Sequence, residues 1–219
     1  MSFMLQQETE KLRTKVLSLG AMAEESVRMA VLAVHDRDAQ LARRVIERDH
    51  EIDETEVAVE EEGIQILALY HPVAIDLRSI IMVLEVNNDL ERVADLAVNI
   101  ADRALALAVV EPIGIPFDLV GMSDKVQAML RKSLEALVRL DANLARQVCA
   151  SDDEIDELNR KAFENAQTAI RRDPDDVGTY ISILSVSRSL ERIADHATNI
   201  AQDVVFLVEG EIIRHRSPT

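Results

Sequence analysis

The chain repeats itself. Leu90-Glu91-Arg92-Val93-Ala94-Asp95-Leu96-Ala97-Val98-Asn99-Ile100-Ala101 returns 100 positions later as Leu190-Glu191-Arg192-Ile193-Ala194-Asp195-His196-Ala197-Thr198-Asn199-Ile200-Ala201. A second segment, Asp38-Ala39-Gln40-Leu41-Ala42-Arg43 through Asp49-His50-Glu51-Ile52-Asp53-Glu54, returns 103 positions later from Asp141 to Glu157. Repetition on this scale constrains the architecture before any local reading, because both copies must fold into the same kind of unit. The expectation is two similar halves, residues 1–111 and 112–219, related by a pseudo-symmetry axis.

Each half reads as helices. Six Gly and five Pro in 219 residues leave few breakers, so long helices are permitted. Leu5, Leu12, Val16, Leu19, Ala23, Ala30 and Ala33 keep helical spacing and predict a first helix ending near Asp36. Val45, Ile52, Val59 and Ile66 recur every seven residues and predict a second, from about Asp38 to Leu69. Tyr70-His71-Pro72 interrupts it. Pro is tolerated in a first turn, so a third helix is expected from about Pro72 to Val110, with Ile80, Leu84, Leu90, Val93, Ala97 and Ile100 inward. Glu111-Pro112-Ile113-Gly114-Ile115-Pro116-Phe117-Asp118 is the clearest connector. Beyond it one helix carries Val126, Met129, Leu130, Leu134, Leu137 and Val138. Another spans Asp141 to Arg171, and a last runs from about Val177 to Val208 with Gly210 as its stop. The fold class is all-α: two pseudo-symmetric three-helix bundles in an elongated, spectrin-like arrangement, since short connections favour antiparallel neighbours.

Charge restricts the partners. A net charge of −16 repels phosphate backbones and anionic lipid, which argues against nucleic acid. The single Cys149 allows no internal disulfide and suits a reducing compartment; its helical spacing among Leu144, Ala145 and Val148 makes it a small packing residue. Met1 to Glu8 lack the basic segment and apolar run of a secretory leader. No stretch reaches the ~18 apolar residues of a spanning helix.

The acids are organised. At ~100° per residue, Asn88, Glu91, Asp95, Asn99 and Asp102 fall within one sector about 80° wide. The equivalent face of the last helix carries Arg188, Glu191, Asp195, Asn199 and Gln202, and the second helix has Asp49, Asp53, Glu56 and Glu60 on one stripe, matched by Asp152, Asp156 and Asn159. Common to all four helices is acid-x-x-x-Asp: Asp49/Asp53, Glu91/Asp95, Asp152/Asp156 and Glu191/Asp195. Like charges at i and i+4 cost a few tenths of a kcal/mol, which a bound cation removes. Carboxylates suit hard cations such as Mg²⁺, Ca²⁺ and Mn²⁺, and also iron or Zn²⁺. These eight residues are the candidate metal ligands. The alternative is a solvated face, with Arg92 paired to Asp95 at i+3.

Catalytic constellations are missing. A carboxylate-bridged di-iron site needs two Glu-x-x-His motifs. Glu47 and His50 supply one, but Ala150 and Asp153 occupy the matching positions. There is no Gly-rich phosphate loop, zinc-type Cys/His spacing or Gly-x-Ser-x-Gly. His196, with Leu96 as its counterpart, reads as structural or exposed. No enzymatic activity is expected.

Glu91 to Ile100, Glu191 to Ile200 and His71-Pro72-Val73-Ala74-Ile75-Asp76-Leu77-Arg78 resemble the signature segments of the PhoU family of phosphate-uptake regulators, as do the Leu-Ala-Arg helices of both halves. The resemblance implies a cytoplasmic, peripheral, often homodimeric protein. It would act between the ATPase subunit of a phosphate ABC transporter and a phosphate-sensing histidine kinase, repressing the phosphate regulon when phosphate is plentiful. It also implies metal, since some members carry multinuclear iron clusters on acid-x-x-x-Asp motifs. Asn88 and Asn99 are neutral where some relatives carry acids, and Glu56 is matched only by Asn159. A metal-storage helical protein without a signalling role is the alternative.

Overall fold

A computed structural model describes residues 3–210. Met1, Ser2 and residues 211–219, the outer ends of the two expected halves, lie outside the described residues. Six long helices follow in order: α1 (Phe3–Asp36), α2 (Ala39–Tyr70), α3 (Ile75–Ala108), α4 (Leu119–Arg139), α5 (Ala142–Arg172) and α6 (Val177–Glu209), with a short 3-10 turn, Pro174–Asp176, before the last. None of the described helices is long and apolar enough to cross a membrane.

The two halves begin their second helices in the same way. Asp38 Oδ1 accepts from the backbone N–H of Gln40 and Leu41, each at 2.9 Å. Asp141 Oδ1 accepts from Asn143 at 2.9 Å and Leu144 at 3.0 Å. Each carboxylate thereby satisfies amides that a helix N-terminus leaves unpaired. The residue ahead of each cap takes the same left-handed turn, Arg37 at φ 54° and Leu140 at φ 52°.

The heptad residues Val45, Ile52, Val59 and Ile66 are buried, as are Leu5, Leu12, Val16, Leu19, Ala23, Ala30 and Ala33 of α1. α3 packs on α1 and α2, α6 packs on α4 and α5, and α3 and α6 pack on each other. That central pair is antiparallel, because Asp89 meets His196 while Arg78, earlier in α3, meets Phe206, later in α6. Leu90, Val93, Ala97 and Ile100 are buried together with Leu190, Ile193, Ala197 and Ile200, so the repeated segment forms the middle of the molecule. Cys149 is half-buried against the core, where burial first and then the Asp152 carboxylate push its thiol pKa upward.

Three features depart from the sequence expectation. α3 starts at Ile75 rather than Pro72, because His71 (φ 46°) and Ala74 (φ 52°) both adopt positive φ and leave Pro72 outside the first turn. Val138, four residues after Leu134, is 51% exposed. Finally, α4 has 21 residues where α1 has 34. The Pro and Gly of the connector occupy the stretch that would extend α4, so the first turns of α1 have no counterpart. That extension reaches the other half, where Arg13 Nη2 donates to the carbonyls of Leu137 and Val138 at the end of α4.

Candidate metal centre

The helical faces that carry the acid pairs oppose one another within each half. In the first, Asp49 is half-buried on α2 and its carboxyl pKa is pushed from 3.8 up to about 6, chiefly by burial and then by the charges of Asp53 and Asp95. Glu91 is also raised, by burial, by Asp95 one turn away, and by Glu56 and Asp53 across the groove, with Arg92 opposing. The second half repeats the arrangement. Asp152 is raised by burial and then by Asp195, with the hydroxyl of Thr198, which donates to its Oδ1 at 3.2 Å, working the other way. Glu191 is raised by burial, Asp156 and Asp152, opposed by Arg188 and Arg192. Asp195 is raised by burial, Glu191 and Asp156, opposed by His196 and Arg192.

The cross-helix couplings follow the repeat. Asp49 with Asp95 corresponds to Asp152 with Asp195, and Asp53 with Glu91 corresponds to Asp156 with Glu191. All eight expected site residues therefore lie in two like-charge grooves. Asp53, Asp156 and Asp195 are exposed and the others partly buried. Among the described residues, no three His, Cys, Asp or Glu side chains already converge as the ligands of one ion would. The grooves bring together opposed pairs of carboxylates. Arg92 lies over the first, 3.4 Å from Glu91 and 3.3 Å from Asp95. In the second, Glu191 Oε2 is buried without a hydrogen-bond donor.

Two buried polar residues under the grooves had no place in the sequence reading. Asn87, 2% exposed, donates from Nδ2 to Glu56 Oε1 at 2.9 Å and to the Glu56 carbonyl at 3.1 Å. Ser187, fully buried, donates to Asn159 Oδ1 at 2.8 Å. The positions match across the repeat, so the offset was the signal that could have found them. Glu56 is held in place by this contact, and its carboxyl is raised by burial, Glu60 and Asp53. His196, expected to be structural or exposed, is partly buried and has a partner: its Nδ1 lies 2.7 Å from Asp89 Oδ1, which also accepts from Asn199 at 3.3 Å.

Chemically, each groove offers hard oxygen donors at closely spaced positions. Fold and grooves thus define a class: a duplicated all-helical scaffold with opposed carboxylate pairs between the last two helices of each copy.

The chain belongs to the PhoU family. The PhoU domain matches residues 16–104 and again 119–204, leaving out the α1 extension that has no counterpart. The phosphate-specific transport system accessory protein PhoU homologue of Pseudomonas putida is 38% identical over 210 residues, covering 95% of this chain and 82% of the relative. The homologue of the same name from Caulobacter vibrioides strain NA1000 is 33% identical, with 97% and 93% covered. The crystal structure of PhoU from Pseudomonas aeruginosa superposes with a TM-score of 0.90 at 37% identity, covering 94% of this chain and 99% of that one. The phosphate transport system regulatory protein PhoU from Streptococcus pneumoniae gives 0.85 at 28% identity, with 95% and 99% covered.

Proposed function

We propose that this protein is a non-enzymatic regulator of phosphate uptake, a negative regulator of phosphate-controlled genes. It acts as an adaptor between the ATPase subunit of a phosphate ABC transporter and its sensor histidine kinase at the cytoplasmic face of the membrane. The observation that carries the reading is the match of both copies, over nearly the whole chain, to relatives whose names are phosphate-specific transport system accessory proteins. Two halves of the same kind, divided in the 112–118 connector, would present two related faces, which suits a protein that answers to two partners or that pairs with a second copy.

In this reading Asp49, Asp53, Glu91 and Asp95 hold cations in one half, and Asp152, Asp156, Glu191 and Asp195 in the other. The donor set fits: it is all carboxylate oxygen, as Mg²⁺, Mn²⁺ and Ca²⁺ prefer and as iron accepts, and carboxyls raised by burial and by one another's charge have most to gain from a positive ion. A bound cation would supply charge compensation that fixes α2 against α3 and α5 against α6. The chain's own residues set the geometry, with Asn87 positioning Glu56 and Thr198 positioning Asp152.

Deletion of the gene tests the regulatory role. Phosphate-controlled transcription in abundant phosphate should rise when the protein is absent, and pull-downs should recover the transporter ATPase and the kinase. Unchanged repression together with capture of neither partner would overturn it. The opposed carboxylates on their own also fit a metal-buffering protein with no signalling role, for which metal content would change while transcription would not.

A further inference from the structure

The two halves meet beside the connector around a cavity of about 340 Å³. Val34 and Leu107 of the first half wall it, with Pro112, Ile113 and Ile115 of the connector and Ile183 of α6. Small molecules bind preferentially in clefts between packed units, and this volume is at the lower end of ligand cavities, about 300–1,000 Å³. The remaining lining is polar: His35, Asp36 and Arg37, at the turn between α1 and α2.

Arg37 is the fixed group. Its Nη1 donates to the carbonyls of Leu107 at 2.6 Å and Val110 at 2.8 Å, which holds the partly buried guanidinium in one place. Those two bonds use a single nitrogen. Nε and Nη2 donate to none of the described residues. Together they form the edge of the guanidinium that grips a carboxylate through two parallel hydrogen bonds. Asp36 brings the opposite charge to the same cavity from an exposed position, and its Oδ1 lies 2.8 Å from His35 Nδ1 rather than against Arg37. Arg139 and Leu140 stand at the matching positions of the second half, so this pair of charges is not repeated.

A cation edge, a carboxylate and apolar walls around one small cavity match a zwitterion with an apolar tail. A simple carboxylic acid meets like charge at Asp36. An amine leaves the Arg37 edge unused, and an inorganic anion leaves the apolar walls unused. We propose that this cavity binds a free apolar α-amino acid, its carboxylate on Arg37 Nε and Nη2, its ammonium toward Asp36 and its side chain among Ile113, Ile115 and Ile183. Because the walls come from both halves, the occupant braces the connector against α6.

Methyl NMR of the full chain with labelled isoleucine tests this, with L-leucine as the probe. The resonances of Ile113, Ile115 and Ile183 should shift together and saturate below about 10 mM. Glycine and isoamylamine should leave them in place. Isocaproate, which is leucine without its amino group, should bind about three-fold more weakly, as expected of one exposed charge. Asp36→Asn should weaken leucine by a similar factor and strengthen isocaproate, a crossing that loss of fold does not produce. Ile115→Trp fills the cavity and should abolish leucine binding. No saturable shift, shifts confined to other isoleucines, glycine binding as well as leucine, or an Asp36→Asn variant that alters both ligands alike would overturn the proposal.

Discussion

Replacing Asp49 by Asn should stabilise the metal-free protein, although it removes a candidate ligand. Asp49 sits among Asp53 and Asp95 with its pKa raised from 3.8 to about 6. Because the folded state takes up this proton more readily than the unfolded chain, the group's contribution is fully present below pH 3.8 and is lost as pH rises through 6. Taken at ~1.4 kcal/mol per tenfold change, that rise corresponds to ~3 kcal/mol at neutral pH. Asp49 is only half-buried, so solvent screening reduces the figure to about 1 kcal/mol. Asn keeps the shape of the protonated acid and carries no charge. In chelator at pH 7.5, thermal unfolding of the variant should lie roughly 2–4 °C above the parent for a chain of this size. The gain should fade as pH falls toward 4. A divalent cation should reverse the order, because only the parent keeps the ligand. A variant less stable than the parent in chelator at pH 7.5, or a gain that persists undiminished at pH 4, would refute the reasoning.

Other perturbations read different parts of the molecule. Leu190→Ala, at a fully buried position of α6, should cost about 2–5 kcal/mol in chemical denaturation, and Leu90→Ala should cost a similar amount because the repeat gives it the same surroundings. Arg37→Ala removes both hydrogen bonds to the end of α3; a loss of about 1–2 kcal/mol is expected in the same assay. A double-mutant cycle on Asp89 and His196, whose contact joins the two halves, should give a coupling energy of about 1 kcal/mol.

Much of this was legible in the sequence because helices are local. The heptad of α2, the helix starts near Asp38 and Asp141 and the Gly210 stop each depend on residues within a turn or two, and each fell where spacing put it. The acid stripes were legible for the same reason: 100° per residue assigns a face without any knowledge of neighbours. What could not be read was which face meets which. Asp89 finds His196 only because α3 and α6 cross antiparallel, and nothing local to either residue encodes that crossing. Val138 has helical spacing with Leu134, but α4 ends beside it and leaves it exposed. The late start of α3 depends on the positive φ of His71 and Ala74, and nothing about an Ala announces such a conformation.

The central claim is that opposed acid pairs in both copies make two cation sites. Calorimetric titration of the chelator-treated protein with Mn²⁺ addresses it most directly, with Asp95→Asn, Asp195→Asn and the double variant beside the parent. Each single change should remove the binding of one half and leave the other, and the double change should abolish both. Binding in the double variant equal to the parent's, or no binding by the parent at all, would contradict the claim.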